Sequence, residues 1–256
     1  MQELTKAQQD YFKDSRVRGS DGKLIVCYHN TANEFDAFDK SKINCAHNTF
    51  YGRGFYFSTS DKYDETFGEK YKGCFGEIKH ECYINMKNPL VIDDVDILEA
   101  MDILEYLRDN HPDYGKPDGP PLIAIDISEY PDDNEYKLIP EAFRSEIFFY
   151  GAWKDYADQL TAYAKENGYD GIIQQPLGLN QPTEIVVFEP NQIKLVSNLY
   201  PTQSDNFKDN SNEYLHNPDL SFDERAEIAR TIKEYTKQNN EDKNICTEKS
   251  CNNMQI

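Results

Sequence analysis

The sequence predicts a mixed α+β domain that extends from about Tyr11 to about Asn198. Three observations indicate this class: short apolar or aromatic runs, segments with helical spacing of apolar residues between them, and a loss of apolar residues after Leu199. A chain of 256 residues is long enough to bury a hydrophobic core. We therefore divide it into a globular domain, residues 1–200, and a polar tail, residues 201–256.

The elements of this domain follow from the local patterns. Apolar runs predict short strands at residues 24–28, 55–58, 82–86, 90–92, 171–173 and 184–188. Helical spacing or capping residues predict helices at residues 5–12, 61–67, 96–107, 153–167 and 221–238. Gly168 stands where a helix end favours a left-handed residue, and Ser221 with Glu224 has the spacing of a capping box. The helix at 221–238 is the element predicted for the tail.

The charge of the chain narrows the class of function. The formal net charge is −19 and the sequence pI is near 4.6. Such a surface repels phosphate backbones and anionic lipid, which argues against a general nucleic-acid-coating or membrane-surface role. The basic residues between Lys6 and Lys23 are interpreted as a solvated face. The opening segment has no apolar core of a signal peptide and no run reaches about 18 apolar residues, so we expect a cytoplasmic protein without a membrane partner.

The six cysteines form no CxxC pair. The nearest approach to the spacing of a metal site is Cys45 and His47 together with His80 and Cys82. Alternate positions of a strand share a face, which gives this pattern an ordinary explanation. We interpret the cysteines as reduced structural thiols and expect no metal.

Three short segments carry residues suited to one chemistry. They are YHNT at residues 28–31, YGRGFYF at 51–57 and TEIVVF at 183–188; the third is preceded by GYDGII at 168–173 and followed by PNQIK at 190–194. In this order the segments resemble the ADP-ribosyltransferase superfamily of the His-Tyr-Glu type. The resemblance is to the domains found in polyvalent proteins of phages and mobile elements, which are similar to the poly(ADP-ribose) polymerase branch. It implies a split β-sandwich of two small antiparallel sheets with flanking helices.

The resemblance implies NAD as the substrate and assigns the first segment to it. His29 would bind the hydroxyl of the ribose on the adenosine side. Asn30 replaces the family's glycine, whose backbone groups hold the nicotinamide amide, and asparagine tolerates a positive φ better than most residues. Thr31 completes the first segment.

The resemblance assigns the second segment to the nicotinamide end of NAD. Gly52, Arg53 and Gly54 would form the loop that approaches the ligand, because glycine lets backbone come close. Tyr56 offers a flat ring for stacking on nicotinamide. Eleven residues later the family often has a second tyrosine, and Phe67 stands at that position.

Glu184 is the expected catalytic carboxylate, with His29 and Tyr56 as its companions. Cleavage of the nicotinamide–ribose bond develops an oxocarbenium-like ribose, which a carboxylate stabilises, while nicotinamide leaves as a neutral molecule without a strong general acid. The sequence has neither the glycine fingerprint of a Rossmann unit nor a P-loop. A redox role for NAD and an ATP substrate therefore lose support.

The acceptor is open at this point. Arginine-modifying relatives often carry a second glutamate two residues before the catalytic one, but Pro182 stands there. We expect a mono-ADP-ribosyltransferase acting on an unknown macromolecule, protein or nucleic acid. The alternatives are an NAD glycohydrolase and a non-catalytic interaction module of a phage or mobile element. A tRNA 2'-phosphotransferase-like protein is disfavoured because no basic phosphate-binding set is found.

Overall fold

The structure is a computed structural model. It describes residues 3–43, 51–62, 75–92, 97–119, 156–175, 182–209, 220–231 and 233. The helices are α1 (Lys6–Tyr11), α2 (Ile97–Asn110), α3 (Ala157–Glu166) and a tail helix, α4 (222–231). The strands are β1 (Cys27–Thr31), β2 (Phe55–Ser58), β3 (Ile78–Ile84), β4 (Leu90–Val91), β5 (Gly171–Gln174), β6 (Glu184–Val187) and β7 (Ile193–Leu195). The α+β class is thereby confirmed.

The strands form one hydrogen-bonded sheet in the order β4-β5-β6-β2-β1-β3-β7. All neighbours are antiparallel except β4 and β5, which are parallel. The family resemblance implies two small antiparallel sheets, and the two halves meet here at β1 and β2 through one register pair, Tyr28 and Ser58. The sheet is therefore continuous in pairing but weakly joined at its centre.

The first strand lies three residues further along the chain than predicted. Gly22 adopts a φ of 77° in the turn before it, and Leu24 pairs with Arg18 in a short bridge instead of entering the sheet. The sheet strand consequently begins at Cys27. His29 therefore lies within β1 rather than at its end.

Side-chain alternation along β6 explains why the sheet is buried on both faces. Val186 packs with Ile172 and Leu160 in the cluster beneath α2 and α3, which we call the helix-side core. Ile185 and Val187 lie in the opposite cluster, which we call the far-side core. A strand buried on both faces is apolar without a two-residue period, as this one is.

Several predicted elements have different bounds. β3 begins at Ile78 and ends at Ile84, and α2 continues to Asn110. Residues 61–62 form a turn, and the rest of the helix predicted at 61–67 lies outside the described residues, as does the start of the one at 153–167. Gly168 ends α3 with a φ of 78°, as predicted.

The tail contributes to the packed structure. Phe207 is fully buried in the far-side core, and Ile228 of α4 packs with Ala7, Leu199 and Tyr200. The predicted capping box is present, because the Glu224 amide donates to Ser221 Oγ at 3.2 Å and the Ser221 amide donates to Glu224 Oε2 at 2.8 Å. The domain boundary at residue 200 stays a prediction. We propose that residues 201–209 also belong to the packed domain, because Phe207 lies in its core.

Candidate active site

Tyr56 and Glu184 project from the same face of the sheet. Tyr56 is opposite Val186, and Glu184, two residues before Val186, is opposite Ser58 on β2. Directly paired residues of antiparallel strands share a face, and so do residues two apart along a strand. Both side chains therefore lie on the side of the helix-side core, against which the Tyr56 ring packs.

Glu184 begins β6 between two polar neighbours. It pairs with Ser58 on one side and with Gln174 of β5 on the other, and its side chain is partly exposed. Burial raises the pKa of Tyr56, and the nearby negative charge of Glu184 raises it further. The tyrosine is therefore a neutral phenol, and the carboxylate acts electrostatically on it.

The hydroxyl of Tyr56 fixes the loop before β2. It donates to the Gly52 carbonyl at 2.8 Å and accepts from the Tyr51 amide at 3.0 Å. These bonds tie the ring to the chain four and five residues earlier. The ring orientation is thus set by the hydroxyl.

Gly52 and Gly54 are required by protein packing. Gly52 has a φ of 97°, and a Cβ there would lie 2.8 Å from Thr161 Oγ1 of α3. A Cβ on Gly54 would lie 2.6 Å from Val186 Cγ1. The two glycines therefore allow close contact with α3 and β6, a reason that the sequence analysis does not identify.

Arg53 is directed at α3. Its amide donates to Thr161 Oγ1 at 2.6 Å, and its Nε forms an ion pair with Asp158 Oδ1 at 2.7 Å. Arg53 thus anchors the glycine loop to the helix. Asp158 and Thr161 are site-supporting residues that sequence reasoning missed, because neither belongs to a recognisable pattern.

His29 lies on the opposite face from Tyr56 but is bonded to its backbone. Its Nδ1 is 2.8 Å from the Tyr56 carbonyl oxygen. A carbonyl oxygen only accepts, so we assign the proton to Nδ1, which leaves Nε2 as the acceptor of the neutral ring. Burial lowers the pKa of His29, while the Tyr56 carbonyl raises it and His80 lowers it again. The imidazole is therefore neutral near pH 7.

Phenylalanine rings surround His29. The centroid of its ring is 5.0 Å from that of Phe38, 5.4 Å from that of Phe57 and 6.1 Å from that of Phe35. Phe35 and Phe38 come from the segment after β1. The aromatic residues of this segment are visible in the sequence, but their convergence on His29 is not.

Asn30 and Thr31 continue β1 beyond His29. Asn30 is opposite Lys79 of β3 in regular pairing, so its backbone is extended and a positive φ is not needed there. Its Oδ1 is buried and has no hydrogen-bond partner in the described part of the chain. Thr31 Oγ1 accepts from the Asn33 amide at 3.3 Å, which begins the following turn.

Several residues singled out in the sequence fall in segments that the structure does not describe. Phe67, Cys45 and His47 fall outside the described residues. Among the described residues, no group of three or more histidine, cysteine, aspartate or glutamate side chains is arranged to hold a metal ion. None of the helices found there combines the length and apolar character needed to cross a membrane.

The chain matches one family model, described as ADP-ribosyltransferase in polyvalent proteins, over residues 19–203. No curated protein matches it. Among solved structures, a crystal structure of an anti-CRISPR protein is 16% identical and is aligned over 64% of this chain and 88% of its own, with a TM-score of 0.28. The family match covers most of the chain and includes all three predicted segments, so the chain belongs to the family of ADP-ribosyltransferase domains in polyvalent proteins.

Proposed function

We propose that this chain is a mono-ADP-ribosyltransferase that cleaves the nicotinamide–ribose bond of NAD and transfers ADP-ribose to a macromolecular acceptor. The family supports ADP-ribosyltransferase activity in general, with NAD as the substrate. The observation that carries the assignment to residues is the arrangement across β1, β2 and β6. Glu184 and Tyr56 share a face, and His29 is bonded to the Tyr56 backbone.

Glu184 is proposed as the catalytic residue. Its carboxylate would accept a hydrogen bond from the 2'-hydroxyl of the nicotinamide ribose and stabilise the positive charge that develops on the anomeric carbon. Its position at the start of β6, partly exposed, allows contact with a ligand. The chemical change is the departure of neutral nicotinamide and the formation of a bond from the anomeric carbon to the acceptor, whose proton is released.

The remaining residues are proposed to hold NAD in a productive orientation. His29 Nε2 is available to accept from the hydroxyl of the adenosine-side ribose, because Nδ1 is bonded to the Tyr56 carbonyl. The buried Asn30 Oδ1 is an unpaired acceptor that suits the NH2 of the nicotinamide carboxamide. Tyr56 would present its ring to nicotinamide, and the loop from Gly52 to Gly54 would support that ring.

The test is the substitution Glu184→Gln, which removes the charge and retains most of the shape. We expect nicotinamide release to fall by about 100-fold or more while the Kd for NAD changes by less than about threefold, because the interaction is made chiefly in the transition state. The matched control is Glu81→Gln, which removes a carboxylate three strands away on the same face. A Glu184→Gln variant that retains more than about a third of wild-type turnover removes Glu184 from the mechanism.

The same assay separates the two enzymatic alternatives. The protein is incubated with labelled NAD, with and without host lysate, and both nicotinamide release and transfer of label are followed. Label on protein or nucleic acid supports the transferase. Release of nicotinamide without transfer supports the NAD glycohydrolase, and a protein that does not turn NAD over is a non-catalytic module.

A further inference from the structure

The segment of residues 202–209, which we call the strap, is built by a regular series of side-chain bonds. Thr202 Oγ1 accepts from the Ser204 amide at 3.2 Å, Ser204 Oγ from the Asn206 amide at 3.1 Å, and Asn206 Oδ1 from the Lys208 amide at 2.9 Å. Each bond fixes the backbone two residues onward. The strap is therefore a defined structure, although most of it lies beyond the family match, which ends at residue 203.

The strap is attached to the sheet at its far side. The Leu195 amide of β7 donates to the Phe207 carbonyl at 3.1 Å, and the Asn198 side-chain amide donates to the Asp209 carbonyl at 2.7 Å. Lys194 is fully buried, and its Nζ donates to the Ser204 carbonyl. These bonds hold the strap in one position relative to β7.

The other side of the strap holds residues 33–38, which we call the aromatic loop. Lys208 Nζ is 3.0 Å from Asp36 Oδ1 and 3.4 Å from Glu34 Oε2. Ala37 and Asn206 form an antiparallel bridge. The loop is therefore held by two carboxylates and one backbone bridge.

Phe207 links the strap to His29 through contacts between aromatic rings. Its ring centroid is 5.4 Å from that of Phe35 and 5.1 Å from that of Phe38. The same two rings contact the imidazole of His29. A continuous aromatic stack thus joins the strap to the residue proposed to bind NAD.

We propose that the strap sets the affinity for NAD by fixing the aromatic loop around His29, with Lys208 as a positioning residue. This inference rests on the proposed function, because it takes His29 as a ligand for NAD. Lys208 acts through Glu34 and Asp36. Its role is to reduce the number of conformations that the aromatic loop beside His29 can adopt before NAD binds.

The experiment measures kcat and KM for nicotinamide release, and the Kd for NAD by calorimetry, in the full chain. We expect Lys208→Ala to raise KM and Kd by about two- to fivefold with kcat unchanged, the range that exposed ion pairs allow. Lys208→Arg should stay within about twofold of wild type, because it keeps the charge. The matched control is Lys116→Ala, which breaks an ion pair with Asp113 inside a single turn and should leave both constants unchanged.

The double variant Glu34→Gln/Asp36→Asn distinguishes positioning from direct contact. If Lys208 positions the loop, removing its two partners raises KM as much as Lys208→Ala does, and combining all three changes adds little more. If Lys208 instead binds the pyrophosphate of NAD, removing the two carboxylates lowers KM, and the positioning role is overturned. All four side chains are at least partly exposed, so the fold should withstand these changes.

The experiments separate the role of the strap from the proposed ADP-ribosyltransferase activity. A wild-type protein that neither binds NAD nor releases nicotinamide overturns both. A wild-type protein that turns NAD over, with Lys208→Ala unchanged in KM and Kd, overturns the role of the strap alone. An unchanged kcat with a raised KM that arginine restores supports the strap as the determinant of NAD affinity.

Discussion

Cutting the chain after Pro201 is predicted to destabilise the domain far more than cutting it after Asp209. Composition alone suggests the opposite, because the tail is polar and its removal at residue 201 should leave the domain folded. Both truncations delete α4 and its contact through Ile228. The difference between them therefore isolates residues 202–209.

The magnitude follows from what those residues bury. Phe207 has no exposed surface, and loss of a buried phenylalanine side chain costs about 3–5 kcal/mol. The truncation also removes the hydrogen bond from buried Lys194 to the Ser204 carbonyl, and a hydrogen bond to a charged group is worth about 1.5–3 kcal/mol. The sum, about 4.5–8 kcal/mol, is comparable to the whole stability of a typical domain, about 5–15 kcal/mol.

The assay is urea unfolding of both truncated chains, followed by far-ultraviolet circular dichroism. We expect the chain cut after Asp209 to unfold cooperatively and the chain cut after Pro201 to be largely unfolded in buffer. In the full chain, Phe207→Ala should lower the free energy of unfolding by about 3–5 kcal/mol. Phe222→Ala is the matched control, because Phe222 is 84% exposed. Free energies of unfolding within about 1 kcal/mol of each other for the two truncations would refute the reasoning.

Two further predictions concern the glycine loop and the buried histidines. Gly52→Ala places a Cβ 2.8 Å from Thr161 Oγ1 at a φ of 97°. Gly22→Ala is strained in the same way, at a φ of 77°, but its Cβ would meet no atom within 4 Å. Gly52→Ala should therefore destabilise the protein by at least about 1 kcal/mol more than Gly22→Ala, a difference that urea unfolding of both variants measures. Burial lowers the pKa values of His29 and His80 from 6.5 in the folded protein. As the pH falls, the unfolded chain therefore takes up protons at a higher pH than the folded chain does. The free energy of unfolding should consequently fall as the pH drops below about 6.5. The thermal midpoint of His80→Phe should depend less on pH between about 7.5 and 5.5 than that of wild type, and equal dependence would contradict the assignment.

The local sequence predicts the elements that carry the candidate site residues, but it does not predict the contacts from other segments that hold those residues in place. The α+β class, the strands that carry Tyr56 and Glu184, and the end of α3 at Gly168 all follow from local patterns. The pattern at residues 24–28 places the first strand too early, because a turn at Gly22 takes Leu24 into a separate bridge. A local apolar pattern identifies a buried segment but not the register at which it enters a sheet.

The supports are contacts between distant segments, which no local pattern records. Thr161 holds the amide of Arg53 from a helix more than a hundred residues away, and Phe207 reaches Phe35 from a stretch of polar sequence. A single phenylalanine among polar residues is usually unremarkable in composition. Its burial depends on the strap that the Thr202, Ser204 and Asn206 side chains build, so composition alone does not reveal it.

The centre of the sheet unites these observations. β1 and β2 share one register pair, Tyr28 and Ser58, and the next bond between them comes from a side chain, because His29 Nδ1 donates to the Tyr56 carbonyl. Because the proton is on Nδ1, where it is donated to the carbonyl, the imidazole is in a single neutral tautomer. Its Nε2 can therefore accept a hydrogen bond from a ligand. The same bond holds the strand of Tyr56 at a set distance from the strand of His29. This bond joins the two halves of the sheet where the ladder of backbone bonds stops, and His29 and Tyr56, two of the residues proposed to bind NAD, lie at that junction.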